Sequence, residues 1–121
     1  MKYDQFVLDL LQKSEELKIQ GEHEEAIKIT EKIITEDPSC FEALEELGDN
    51  YIALRKYNHA RKALRQAIKV NAKASNAHYL LGFLYSLEQQ WDDSVTELSK
   101  ADTLMPNHPE ILRCLGWSHY N

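Results

Sequence analysis

The sequence predicts an all-α fold, a solenoid of antiparallel helix pairs about seven helices long. Three observations predict it. Leu47-Gly48, Leu81-Gly82 and Leu115-Gly116 recur 34 residues apart, as do Ala26, Ala60 and Ser94, and Ile33, Ala67 and Ala101. A recurrence of about 20–50 residues marks stacked supersecondary units. Leu44, Leu47 and Tyr51 fall at i, i+3 and i+7, one stripe of a helix. The 121 residues hold only four glycines and three prolines, too few for the many turns of an all-β fold or for a flexible linker.

The elements follow in chain order. The first unit, residues 7–40, pairs helices at about 4–20 and 24–36. Lys13-Ser14 replaces Leu-Gly there, while Ala26, Ile33 and Pro38 keep the register. Glu24 and Glu25 open the second helix, where the helix dipole favours acids. Pro38 ends it, because proline cannot continue a helix. Ser39 with Glu42 three residues on reads as a capping box that starts the helix at 41–54. Its stripe faces Tyr57, Ala60, Leu64, Ala67 and Ile68 on the next helix, 58–71, completing a unit over 41–74. Gly48 and Ala60 are small where the two helices approach, and a larger residue would force them apart. Leu81-Gly82 and Tyr85 repeat the pattern at 75–88, and Ser94, Leu98 and Ala101 at 92–104, within a unit over 75–108. Pro106 closes that helix, and Asn107 with Glu110 repeats the capping box. A partial fourth unit, 109–121, carries Leu112, Leu115, Trp117 and Tyr120, apolar nearly all round. Solenoids usually close with a helix whose outer face is polar. The expectation is therefore a piece of a longer array, or a helix that packs against a second copy.

These residues resemble the tetratricopeptide repeat, whose 34-residue unit carries a bulky residue, Leu-Gly, an aromatic, Ala, a further bulky residue, Ala and Pro. The second unit matches with Leu44, Leu47-Gly48, Tyr51, Ala60, Leu64 and Ala67. The third matches with Leu81-Gly82, Tyr85, Leu98, Ala101 and Pro106. Departures are Ala72 in place of Pro, His78 in place of Trp or Leu, Ser94 in place of Ala, and the degenerate first unit. The resemblance covers nearly the whole chain and implies a single domain over 1–121, wound as a right-handed superhelical solenoid.

Charge and composition exclude several functions. Fourteen Lys and Arg against twenty Asp and Glu leave −6, which disfavours a broad nucleic-acid surface. The charge is uneven. Residues 1–50 hold fourteen acids and five bases, whereas no acid lies between Asn50 and Leu87. Lys62, Arg65 and Lys69 form a basic stripe on the outer face of one helix, read here as a solvated face. No apolar run reaches the roughly 18 residues of a membrane span. Met1-Lys2-Tyr3-Asp4 is too polar and acidic for a signal peptide. Cys40 and Cys114 are too few and too far apart for a disulfide framework or zinc spacing. They read as thiols of a reducing compartment, so the expected location is cytoplasmic.

No catalytic constellation emerges, so the chain reads as a non-enzyme without cofactor or metal. His23 among Glu22, Glu24 and Glu25 reads as packing in a turn, because it occupies the position of Tyr57 and Trp91. His78 reads as a packed histidine. The glycines of the Leu-Gly pairs lie mid-helix and make no phosphate loop.

What the resemblance implies is a groove, lined by the first helix of each unit, that binds extended or helical protein segments. Carried onto this chain, its positions are Leu8, Leu11, Glu15 and Lys18, then Glu42, Glu45, Glu46, Asp49 and Ile52. The third unit gives Asn76, Tyr79, Leu80, Phe83 and Leu87, and the fourth gives Arg113, Cys114, Trp117 and Tyr120. One subset of the family clamps the carboxylate of chaperone tails with Lys, Asn and Arg. Here those positions hold Leu11, Glu15, Glu46, Asn76 and Leu80, with no base among them. The expected partner is a protein or peptide with a basic part for Glu42, Glu45 and Asp49 and an apolar anchor for Tyr79, Phe83 and Trp117. Self-assembly through residues 109–121 is the alternative.

Overall fold

The computed structural model describes residues 3–121; Met1 and Lys2, part of the polar start weighed above, lie outside them. Seven helices follow in order among the described residues: α1 (Gln5–Ile19), α2 (His23–Glu36), α3 (Phe41–Ala53), α4 (Tyr57–Val70), α5 (Ser75–Leu87), α6 (Trp91–Leu104) and α7 (Pro109–His119). Consecutive helices pack as α1 on α2, α3 on α4 and α5 on α6, and each pair packs on the next. The first helices of the pairs also approach one another, α1 to α3, α3 to α5 and α5 to α7, whereas the backbones of α2, α4 and α6 stay more than 8 Å apart, Cα to Cα. The row of first helices is therefore the close-packed inner side of a curve, and the second helices fan out behind it.

Each pair closes on small residues. Gly48 lies against Leu64 and Gly82 against Leu98. In the first pair the same register holds Ser14 and Thr30, both fully buried. There a shorter Thr replaces the Leu, which leaves room for a side chain where the other pairs need glycine. Ser94, in place of the usual Ala, is fully buried, and its hydroxyl donates to the Gly82 carbonyl at 2.8 Å and meets Ser118 Oγ at 2.9 Å. That departure binds α7 to the α5–α6 pair.

The turns correct two expectations. Neither capping box forms. Ser39 precedes the N-cap, and both its backbone N–H and its hydroxyl bond Asp37 Oδ1 in an Asx turn. Asn71 makes the same turn 34 residues on, accepting from the Lys73 N–H at 3.0 Å. At α7 the cap is His108, whose side chain accepts from the Glu110 N–H, while Asn107 takes a positive φ of 65°. Within the pairs, Gly21, Arg55 and Gln89, again 34 apart, turn the chain with φ of 80°, 60° and 60°.

Both histidines singled out above sit in the packing. His23 Nδ1 meets the side-chain oxygen of the fully buried Asn50 at 2.8 Å. His78, buried in the place of a bulky apolar residue, bridges Glu97 Oε2 at 2.8 Å and the Ala72 carbonyl at 2.9 Å. Ala72, where the repeat prefers proline, thereby anchors the α4–α5 loop through its oxygen. No helix of the described residues is long and apolar enough to cross a membrane.

Candidate functional site

The inner face is lined by α1, α3, α5 and α7, and its two ends differ in chemistry. On the α1–α3 side the acids are mostly committed. The Tyr3 hydroxyl donates to Glu42 Oε1, and Lys18 Nζ reaches Glu46 at 3.0 Å and Asp49 at 3.2 Å. Burial would depress the Lys18 ammonium, but Glu46 and Asp49 outweigh it and hold its pKa above the ordinary value. Burial also raises Glu46, although Lys18 opposes the shift, and its second oxygen is buried without a partner.

Glu45 departs from the sequence reading. It is 8% exposed, drawn between α3 and α5 rather than projecting into the groove. Burial pushes its carboxyl up to about 7. The Ala77 N–H and the Asn76 side chain oppose the shift, and the Glu42 and Glu46 charges reinforce it. Its position explains its contacts. The N-cap of α5 is Ala74, which has no side-chain hydrogen bond to offer, and the Ala77 N–H beside Glu45 favours its charged form. A carboxylate from the neighbouring helix thus serves the open N-terminus of α5.

Leu80 is the second correction. At 6% exposure it belongs to the core around Leu64, Leu81 and Leu84. Leu11 packs against the first core, around Val7 and Ile33. Glu15 and Asn76 are exposed at the surface.

The α5–α7 side is aromatic and open. Tyr79 and Phe83 are half-buried and stacked, with ring centroids 6.4 Å apart. Trp117 is half exposed and rests its ring edge-on against Trp91 of α6 at 5.7 Å. Tyr79, Phe83, Cys114 and Trp117, with the ion pair Arg113–Glu110, line a depression of about 480 Å³. A second depression of about 300 Å³ adjoins it, sharing Tyr79 and Glu110 and adding Asn76, Met105 and Ile111. Burial, reinforced by the neighbouring Cys114, pushes the Tyr79 hydroxyl up to about 12. The site therefore brings together Tyr79, Phe83, Arg113 and Trp117, adjoins Asn76, and leaves Leu80 and Glu45 beneath the surface.

Sequence reasoning read Glu110 as a capping residue and did not place it at the rim. Its spacing of three from Arg113 was the available signal. Cys40 and Cys114 are free and buried, and burial raises both thiols. Among the described residues no three or more His, Cys, Asp or Glu side chains group to hold a metal ion.

Comparison with known proteins gives this geometry a family context. A family model described as tetratricopeptide repeat matches residues 17–84. Anaphase-promoting complex subunit 3 of Schizosaccharomyces pombe is 30% identical over 98 residues, covering 81% of this chain but only 15% of that protein. The first TPR domain of Spaghetti (RPAP3), bound to an HSP90 peptide SRMEEVD, superposes with a TM-score of 0.88 at 22% identity. That match covers 94% of this chain and 90% of the other. The Sgt2 TPR domain of Aspergillus fumigatus gives 0.91 at 17% identity, over 97% of this chain and 79% of the other.

Proposed function

The chain belongs to the tetratricopeptide repeat family, and from that premise we propose that it is a non-enzymatic scaffold that binds a segment of a partner protein along its inner face. The depression among Tyr79, Phe83 and Trp117 carries this reading. Half-exposed aromatics around a pocket are the residue type and setting of binding hot spots. An apolar side chain of the partner seats there, and a basic residue lies toward the acidic α1–α3 side, facing Glu15, Glu42 and Asp49.

An acidic C-terminal tail, or an acidic peptide such as the SRMEEVD bound by the Spaghetti domain, is a poor fit. The positions that would clamp its carboxylate hold Leu11, Glu15, Glu46, Asn76 and Leu80. Lys18 and Arg113, the cations of this face, are each paired with carboxylates. The two buried free thiols suit a reducing compartment such as the cytoplasm.

A peptide array containing basic-apolar and acidic-tail peptides tests the reading. It compares wild type with Phe83→Ser and with Glu15→Lys, Asp49→Lys. Basic-apolar peptides should bind wild type and lose about tenfold or more in either variant. Preferential binding of the acidic tails, or equal binding by all three proteins, overturns it. Self-association through α7 is the second reading, favoured by Leu112 and Tyr120 at 44% and 91% exposure. It requires a mass in light scattering that rises with concentration.

A further inference from the structure

The outer face of α4 is basic, and it differs from the faces beside it. Lys62, Arg65 and Lys69 lie along one stripe, with Arg61 at its edge, and together with Asn58 and Gln66 they line a shallow groove of about 390 Å³. Sequence alone reads this stripe as a solvated face that offsets acidic neighbours. Among the described residues the two lysines of the stripe are exposed and no ion pair holds them. The backbone of α4 stays more than 8 Å from those of α2 and α6, Cα to Cα, and among the described residues no ion pair joins its bases to either helix. Lys28 pairs within α2 and Lys100 within α6. Among the described residues no acid pairs with the exposed Lys62 and Lys69, and Glu88 is held by Arg61. Arg65 is braced by a hydrogen bond to the Tyr85 hydroxyl at 2.7 Å, so its guanidinium is positioned before any ligand arrives.

We infer that the outer face of α4 is a second interaction surface, which takes an acidic protein segment lying lengthwise along the helix. Charge complementarity selects the acidic partner. The extent of the patch selects a segment over a nucleic acid. Lys62 and Lys69 are about 10 Å apart along the axis, and the whole helix is about 20 Å long. On its flanks α2 exposes Glu24, Glu25, Glu31 and Glu36, and α6 exposes Asp92 and Asp93. A polyanion crossing the solenoid would meet those carboxylates, whereas a short acidic segment parallel to α4 stays on the bases. This surface is on the opposite side of the molecule from the aromatic depression, so the two can be occupied together.

The test is fluorescence anisotropy with a labelled Glu-rich peptide as long as α4, and in parallel a single-stranded oligouridine probe. The peptide should bind wild type at low salt, weaken as salt rises, and shift amide resonances of α4. Lys62→Glu, Lys69→Glu should weaken it by about tenfold or more, while Phe83→Ser on the inner face leaves it unchanged. Both lysines are exposed, so unaltered circular dichroism is expected for that variant. Absence of peptide binding, equal binding by the charge-reversed variant, or tighter binding of the oligouridine overturns the inference.

Discussion

Gly82 stands so close to Leu98 that a Cβ on it would lie 2.6 Å from Leu98 Cγ and 3.2 Å from the Leu98 backbone nitrogen. Neither atom is the free end of a flexible chain, so the α5–α6 pair has no room to yield there. Gly82→Ala should therefore destabilise by about 1–3 kcal/mol, and Gly82→Leu more. Gly116, at the same register of α7, has nothing within 4 Å of the corresponding position. Gly116→Ala should instead raise stability by up to about 1 kcal/mol through helix propensity. Thermal or urea unfolding of the two alanine variants checks the pair. A similar loss in both would show that the close approach at Leu98 has no energetic consequence.

This contrast also shows where sequence is legible. The spacing of Gly48, Gly82 and Gly116 signals the repeat, because two packed helices impose the same small residue in each unit. It does not signal that, among the described residues, no side chain lies against Gly116 as Leu64 and Leu98 lie against Gly48 and Gly82. The capping boxes failed for a different reason. Asp37 competes for Ser39, and His108 takes the cap ahead of Asn107. Glu45 misled because helical geometry alone turns it away from Leu44 and Tyr51 without showing what covers it. Its cover is the start of α5, a contact across units that periodicity does not encode. Leu80 failed likewise, since a position assigned to the groove by family register is claimed by the core.

The turns carry a second prediction. Gln89 is exposed and holds a left-handed φ of 60°, a conformation that costs a residue with a side chain about 1 kcal/mol. The equivalent Gly21 has φ of 80° and open space around it. Gln89→Gly should gain about 0.5–1 kcal/mol, and Gly21→Ala should lose a similar amount. Opposite signs in chemical denaturation would support the shared geometry, and equal signs would contradict it.

Ser94 and Ser118 offer a coupling test. Both hydroxyls are buried, and they meet at 2.9 Å. Ser118→Ala should cost about 1 kcal/mol, and Ser94→Ala about 1–2 kcal/mol because it also frees the Gly82 carbonyl. The double variant should cost less than the sum, since neither leaves the other stranded. Strict additivity would mean that the pair does not hold α7 in place.

Glu45 makes stability depend on pH in a direction opposite to that of a salt-bridged acid. Burial, reinforced by Glu42 and Glu46, raises its carboxyl from 4.5 to about 7 in the folded chain. Below pH 4.5 the folded and unfolded chains both hold the proton, and this group adds no slope. Between 4.5 and about 7 the folded chain retains a proton that the unfolded chain has released, so stability falls as pH rises through that window. Above it the loss is complete and amounts to about 3 kcal/mol. Glu46, also raised by burial, acts with the same sign. Glu45→Gln keeps the shape and cannot ionise. It should flatten the profile and make the variant more stable than wild type at pH 8, while matching it near pH 5. Urea unfolding of both proteins at the two pH values decides it, and parallel profiles would mean that the buried carboxyl carries no proton at neutrality.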